Sequence, residues 1–505
     1  QRQMCIRDST EGGAWVCSGS SQRDVVHTVR EGDRVTAMET SWGHKITVSY
    51  GGARVVSAIS SDGRCVRYSY DDENRLVQVD GPDGSRRYEW DDTLITTVVD
   101  ACGNAECINS YDGRGRITSQ QAANGRTVHF RYLPGGVTAA SDADGTNANT
   151  WICDAHGRTT GVVDAHGGQV SMTYDSFGNM VRCVDRAGNV TSHRYDQRGR
   201  LTHTDLPTGG TIDCSWDDLD RLVSTTLANG AQTTFEYDGT ERDPVRVTDP
   251  CGGVTVAEWK DGLLLRATNP VGVSLRFSYD HHAELVRVED AHGEASRLIR
   301  DEAGRIVETI SPGGATTRFS YDDAGRLAAV VTPDGATWEH RYDVAGHLIE
   351  LVAPDSGVTK WEYHPDGQIS RVIDPLGRVI EHSYDHLGNL AGMQLPDGSA
   401  WSFIHDALSR LTQVVAPDEA RWTYAYDVDG NLSGVTDPAG FARPGSLLTV
   451  SLPAPPRIVT GTNSTASMPI PTVLLLPSPM SLAPSRSSRV ICVADRLSFR
   501  TSLAR

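Results

Sequence analysis

Residues 321–335 read YDDAGRLAAVVTPDG, and residues 342–357 read YDVAGHLIELVAPDSG. Each opens on Tyr-Asp, passes Gly, a basic residue and Leu, runs through small apolar residues, and closes on Pro-Asp and Gly. Working outward, the frame recurs at steps of 21 residues, with a few of 20 or 22. Its aromatic anchors are Tyr50, Tyr70, Trp90, Tyr111, Tyr132, Tyr174, Tyr195, Trp216, Tyr237, Trp259, Tyr279, Tyr321, Tyr342, Tyr363, Tyr384 and Tyr426. Cys153, Arg300 and His405 hold the anchor position without such a ring, and Arg30 fits one more degenerate copy. Repetition at this period defines one array rather than a string of unrelated domains.

Each repeat carries two turn signals. One is Asp-x-x-Gly, as in Asp322–Gly325; the other is Asp-Pro-x-Gly, as in Asp374–Gly377. Both suit a type I turn: Asp bonds back to the backbone, Pro presets the second position, and Gly ends the turn. In the first signal Gly also suits the left-handed residue of a bulged hairpin, with Asn74 and Asp220 standing in for it. Between turns lie five to seven residues rich in Val, Thr, Ile, Trp and Tyr, a strand composition. One detail resists strict alternation: Leu327 and Val330 stand three apart, as do Leu411 and Val414, and Leu432 and Val435. The segment is too short for a stable helix, and a bulge would restore the facing.

The predicted fold class is all-β: a coiled antiparallel β-ribbon solenoid with an irregular C-terminal tail. Around 38 short strands side by side form a long ribbon, and inherent twist makes it coil. Two alternatives remain at this point. Paired repeats match the length of a propeller blade, although the array would make more blades than propellers use. A parallel β-helix also has a short period, but needs no hairpin signal twice per coil.

Basic residues number 47 against 65 acidic, a net charge of −18. This disfavours nucleic acid as a partner, because phosphate binding needs a basic surface. No apolar run has the length of a membrane span. The ten cysteines include no CxxC pair, and Cys102 and Cys107 lack matching ligands, so neither a zinc site nor a dense disulfide framework is expected. The chain opens on Gln and reads as a piece whose start lies upstream.

The frame YDxxGRLxxVxDPxG, seen closely in SYDHLGNLAGMQLPDG (383–398) and AYDVDGNLSGVTDPAG (425–440), resembles the YD repeat of the Rhs family. Teneurins and the B and C components of insecticidal toxin complexes share that repeat. The resemblance implies a spiral β-sheet closing into a hollow shell, which in bacterial members holds a variable C-terminal toxin. It also implies a secreted or cell-surface location, with the toxin cargo and a delivery machinery or cell surface as partners. Nothing after Gly440 continues the repeat, so no catalytic residue is carried over.

Three segments are expected: residues 1–29, poorly defined; 30–440, the array; and 441–505, a Pro/Ser-rich tail. The tail has no Tyr, and Asp495 is its only acid among seven basic residues. It reads as disordered or as translated out of frame.

No catalytic, cofactor-binding or metal site is expected. The carboxylates follow the repeat phase and have structural work in turns. His156, His166 and His292 sit in Asp-Ala-His-Gly turns, and His281 and His282 in the variable positions of another, all reading as solvated turn residues. Asp142 and Asp144 have the spacing of a calcium loop without its closing Glu. The aromatic ladder reads first as cross-strand packing and second as a carbohydrate-binding face. The expected function is therefore a non-enzymatic shell wall enclosing an effector, and the alternative is an extracellular recognition or adhesion module.

Overall fold

In a computed structural model of the chain, residues 6–8, 15–18, 25–82 and 84–444 are described. The chain divides into two units, residues 1–464 and 465–505, and the second lies wholly outside the described residues. The reading of the tail as disordered or out of frame falls outside them from residue 445 onward.

The described residues contain 43 strands and no helix. Each strand pairs antiparallel with the next in sequence, from Ile6–Asp8 to Ala442–Pro444, in one continuous meander. Separate propeller blades and parallel coils are thereby excluded. Strand pairing begins upstream of residue 30, in Ile6–Asp8, Trp15–Ser18 and Val25–Glu31.

The resisting spacing is resolved by a bulge. Tyr321 pairs with Leu327, but Ser320 pairs with Ala329, so Ala328 is an extra residue on the second strand. Leu327 and Val330 consequently share a face although three residues apart. The same shift recurs beside Tyr342, Tyr363, Tyr384 and Tyr426. Gly325 supplies the left-handed residue at φ 82°, as Asn74 and Asp220 do at 76° and 61°. Ala283, Ser409 and Glu419 also adopt it, without the side-chain type that favours it.

The ribbon has two unlike faces. On one, Phe319 opposes Val330, Trp361 opposes Val372, and Phe403 opposes Val414. On the other, Glu308 opposes Arg318, Glu350 opposes Lys360, and Arg371 opposes Glu381. Among the described residues no large side chain is fully buried. The wall is one sheet thick, and its apolar side chains bury one another along the ribbon rather than against a second layer.

Candidate functional site

The repeat is held by a linked set of bonds around the Tyr-Asp hairpin. At Asp322 the Gly325 N–H donates to the Asp322 carbonyl at 2.9 Å, which closes the turn. Asp322 Oδ1 accepts the N–H groups of Ala324 and Arg326, and Oδ2 accepts Arg326 Nε at 2.8 Å. Arg326 then reaches into the next repeat. It donates to the Asp343 carbonyl at 2.8 Å, and its guanidinium lies 4.8 Å from the Tyr342 ring centroid.

Tyr342 completes the link. The ladder to the next strand has Ala329 as its last paired residue, so the Leu327 carbonyl lies beyond it. Tyr342 donates its hydroxyl to that carbonyl at 3.0 Å. The same bond comes from Tyr50, Tyr70, Tyr237, Tyr363 and Tyr426. Trp90, Trp216 and Trp259 make it through the indole Nε1–H. A large ring with a donor at its tip suits this position, which explains why Tyr and Trp hold it in most repeats and Phe in none. Arg300 sends a guanidinium N–H to the Leu285 carbonyl instead.

Electrostatics follow from these bonds. The Arg116 side chain, with the backbone N–H groups of Arg116 and Arg114, holds the Asp112 carboxyl down at about 2. At Asp322 partial burial pushes upward, but the Arg326 bonds outweigh it and the net shift is down. Burial pushes the Tyr237 phenol up to about 12. His340 and His382, in the apolar ladder, are held below the usual imidazole range by burial.

A second set of contacts joins turns far apart in sequence. His282 donates Nδ1–H to the Trp42 carbonyl at 2.7 Å, and its ring stacks on His44 at 4.8 Å. The Cys102 thiol lies 3.9 Å from Asp343 Oδ2. The Asn147 amide donates to His386 Nε2 at 3.2 Å, and His166 Nε2 lies 3.5 Å from Asp406 Oδ2. The Ala187 N–H donates to Asp429 Oδ1 at 3.2 Å. Each contact joins turns 23 strands apart. Each also runs from an inter-repeat turn of the earlier segment to a Tyr-Asp turn of the later one. The ribbon thus winds round in laps of 23 strands, with the rim of inter-repeat turns in one lap seated on the rim of Tyr-Asp turns in the next.

The histidines divide accordingly. His156 and His292 sit in exposed turns as the sequence implies. His166 is exposed as the solvated reading implies, although its ring lies against Asp406 across the seam, whereas His282 is partly buried and bonded across it. Asp142 pairs with Arg126 at 2.9 Å, whereas Asp144 caps Thr146, so the two carboxylates do separate structural jobs. Cys102 and Cys107 are both free thiols. Among the described residues no three His, Cys, Asp or Glu side chains gather as a metal site. On the inter-repeat turns Trp42, Cys102, His166 and Ala187 reach the seam from the third place of the turn, whereas the Tyr-Asp partners come from the first (Asp343, Asp406), second (His386) or third (His282, Asp429), and the 21-residue period holds no signal for them.

A meander of bulged Tyr-Asp hairpins, clamped repeat to repeat and wound into stacked laps, defines a repeat-shell protein. The Teneurin YD-shell family matches residues 143–337 and 272–404, together just over half of the chain, and the RHS Repeat family matches 52–86 and 405–442. The chain belongs to the YD-shell family of Rhs-type repeat proteins. No curated protein matches it. Among solved structures it is similar to a mutant Tc holotoxin pore from Photorhabdus luminescens. Identity there is 15%, with 83% of this chain and 26% of that chain covered and a TM-score of 0.50. TcdB2–TccC3 without its hypervariable C-terminal region is also similar, at 15% identity, 83% and 27% coverage and a TM-score of 0.49. The chain spans about a quarter of the length of these solved proteins.

Proposed function

We propose that the chain is a non-enzymatic segment of the wall of a toxin-type shell, and that the shell encloses an effector polypeptide until delivery from a secreted or surface-bound particle. The observation that carries this reading is the lap of 23 strands closed by a seam. At about 4.8 Å per strand one lap has a circumference of roughly 110 Å. Barrels with about 22 strands have a lumen wide enough to need a plug, because side chains from the wall do not fill it. A one-sheet wall of this girth therefore leaves room for another polypeptide.

The carbohydrate-binding alternative gains nothing from the aromatic ladder. The anchor rings lie under guanidinium groups, and their polar tips are already bonded to backbone carbonyls. The test is protection of a cargo. An unfolded reporter polypeptide fused after Gly440 is exposed to protease, alone and on the array. Enclosure predicts survival about tenfold longer on the array, because cleavage follows access to the open chain. Equal digestion would defeat the reading.

A further inference from the structure

The polar face of the ribbon follows a charge rule in much of the second lap. Residues directly opposite one another carry opposite signs: Glu308 faces Arg318, Glu350 faces Lys360, and Glu362 faces Arg371. Two neighbouring pairs break the rule. Arg266 lies directly opposite Arg276, and Arg287 directly opposite Arg297. They occupy four consecutive strands, Leu263–Thr268, Ser274–Tyr279, Leu285–Asp290 and Ala295–Arg300, far from either end of the array. Like charges placed so cost stability, and the acids beside them are too few. Arg266 reaches Glu258 at 3.4 Å. Glu289 lies 3.9 Å from Arg276 and also holds Arg287, so one carboxylate serves two guanidinium groups. Arg297 is exposed and makes no ion pair among the described residues.

Burial shows that this polar face is the outer one. Ile299 and Ile404 lie on it and are 45% and 47% exposed, whereas Ile380 and Val372 on the apolar face are 7% and 8% exposed. A closed lap splays side chains on its convex face and crowds them on its concave one. Guanidinium forks on the convex face suit bidentate contacts with oxyanions. The two pairs are centred two strands apart, about 10 Å. Glu258 and Glu289 stand directly opposite Arg266 and Arg276 on the first row. A duplex, with a charge about every 1.7 Å, would set phosphates against these carboxylates, and so would a broad acidic surface. A thin chain with well-spaced anions bridges the two pairs without covering them. We propose that the two arginine pairs bind a sulfated polysaccharide, a flexible chain that carries its oxyanions at the spacing of its sugar units. The site uses none of the anchor rings, so it is distinct from an aromatic sugar-binding face, and it does not depend on the enclosure of a cargo.

The experiment is calorimetric titration of the full chain with dextran sulfate at about 0.15 M salt, with uncharged dextran as the blank. Binding is expected although the chain carries a net charge of −18. The slope of log affinity against log salt should be about −3 to −4, from the four arginines. Arg276→Gln combined with Arg297→Gln takes one cation from each pair. It should weaken binding about tenfold or more and reduce the slope by about two. Its thermal midpoint should hold or rise, because each pair loses its repulsion. Arg341→Gln lies four strands away on the same face, beyond the screening length of about 8 Å, and should leave affinity within about twofold. No binding by wild type overturns the proposal, and so does a loss in Arg341→Gln equal to that in the double variant. Weaker binding with a lowered midpoint would make the pairs structural instead. Equal or tighter binding of inorganic polyphosphate or polyglutamate would assign the patch to phosphate chains or acidic proteins, which also overturns it.

Discussion

The two hairpins of each repeat share a backbone and differ in what ties them together. In the Tyr-Asp hairpin the Asp322 N–H donates to the Arg326 carbonyl; in the inter-repeat hairpin Thr332 donates to Ala336 in the same way. Gly325 and Gly335 take nearly equal left-handed angles, 82° and 84°. Beyond that they part. Arg326 links its own turn to the carbonyl and the ring of the next repeat, whereas Thr332 and Asp334 bond only within their turn. One rim is thus stitched repeat to repeat by the arginine of the frame, whereas on the other such links occur singly, from Arg126 to Asp142 and from Arg186 to Asp164. The lesson is that repetition of sequence tracks the stitched rim: the Tyr, Asp, Gly and Arg of the frame all belong to it.

The comparison breaks most visibly at the anchor. Tyr342→Ala removes a half-buried ring and the donor to Leu327, and should cost about 2–3 kcal/mol in denaturant unfolding. Tyr342→Phe keeps the ring and leaves the carbonyl without its donor, for about 1–2 kcal/mol. If Phe is neutral, the bond has no role in specifying the anchor. Next in size, Arg326→Ala should cost about 1–2 kcal/mol because it unties two repeats, whereas Asp334→Ala should cost about 0.5 kcal/mol or less. Equal losses would mean that the two rims are tied alike.

The acid response is smaller at each site. His340 is held below its ordinary range by burial, so its contribution is full above about pH 6.5 and fades as pH falls through the lower folded value. His340→Phe, which places there the residue found at Phe319 and Phe403, should flatten the stability profile below about pH 6.5. The turn carboxylates act further down. Asp112 sits at about 2, so its contribution is full above about pH 4 and is lost as pH falls through about 2. The smallest effect expected is a gain: Ala283→Gly relieves a left-handed alanine at φ 60° and should stabilise by about 1 kcal/mol or less.

The array was legible because its local rules repeat. The 21-residue step, the two turn signals and the strand composition between them specify an antiparallel meander, and the three-residue spacing of Leu327 and Val330 already asked for a bulge. Asn74 and Asp220 were readable as left-handed residues because their side chains favour that conformation; Ala283 and Ser409 were not, because the surrounding turn imposes it on them. The need for a donor at the anchor tip was hidden in the alternation of Tyr with Trp, and it makes sense only once the Leu327 carbonyl is seen beyond its ladder. The seam left no local trace. Its partners lie about 240 residues apart, a distance set by the accumulated twist and curvature of 23 strands rather than by any one residue.

The most direct test of the coiled lap is a distance across that seam. Spin labels carried on noncanonical residues at positions 187 and 429, which leaves the native cysteines alone, report on the Ala187–Asp429 contact. Pulsed dipolar spectroscopy should give a narrow distribution under about 20 Å, whereas a flat ribbon of 23 strands at normal spacing would hold the labels about 110 Å apart. A distribution lying wholly beyond the measurable range would contradict the lap, and with it the lumen on which the shell reading rests.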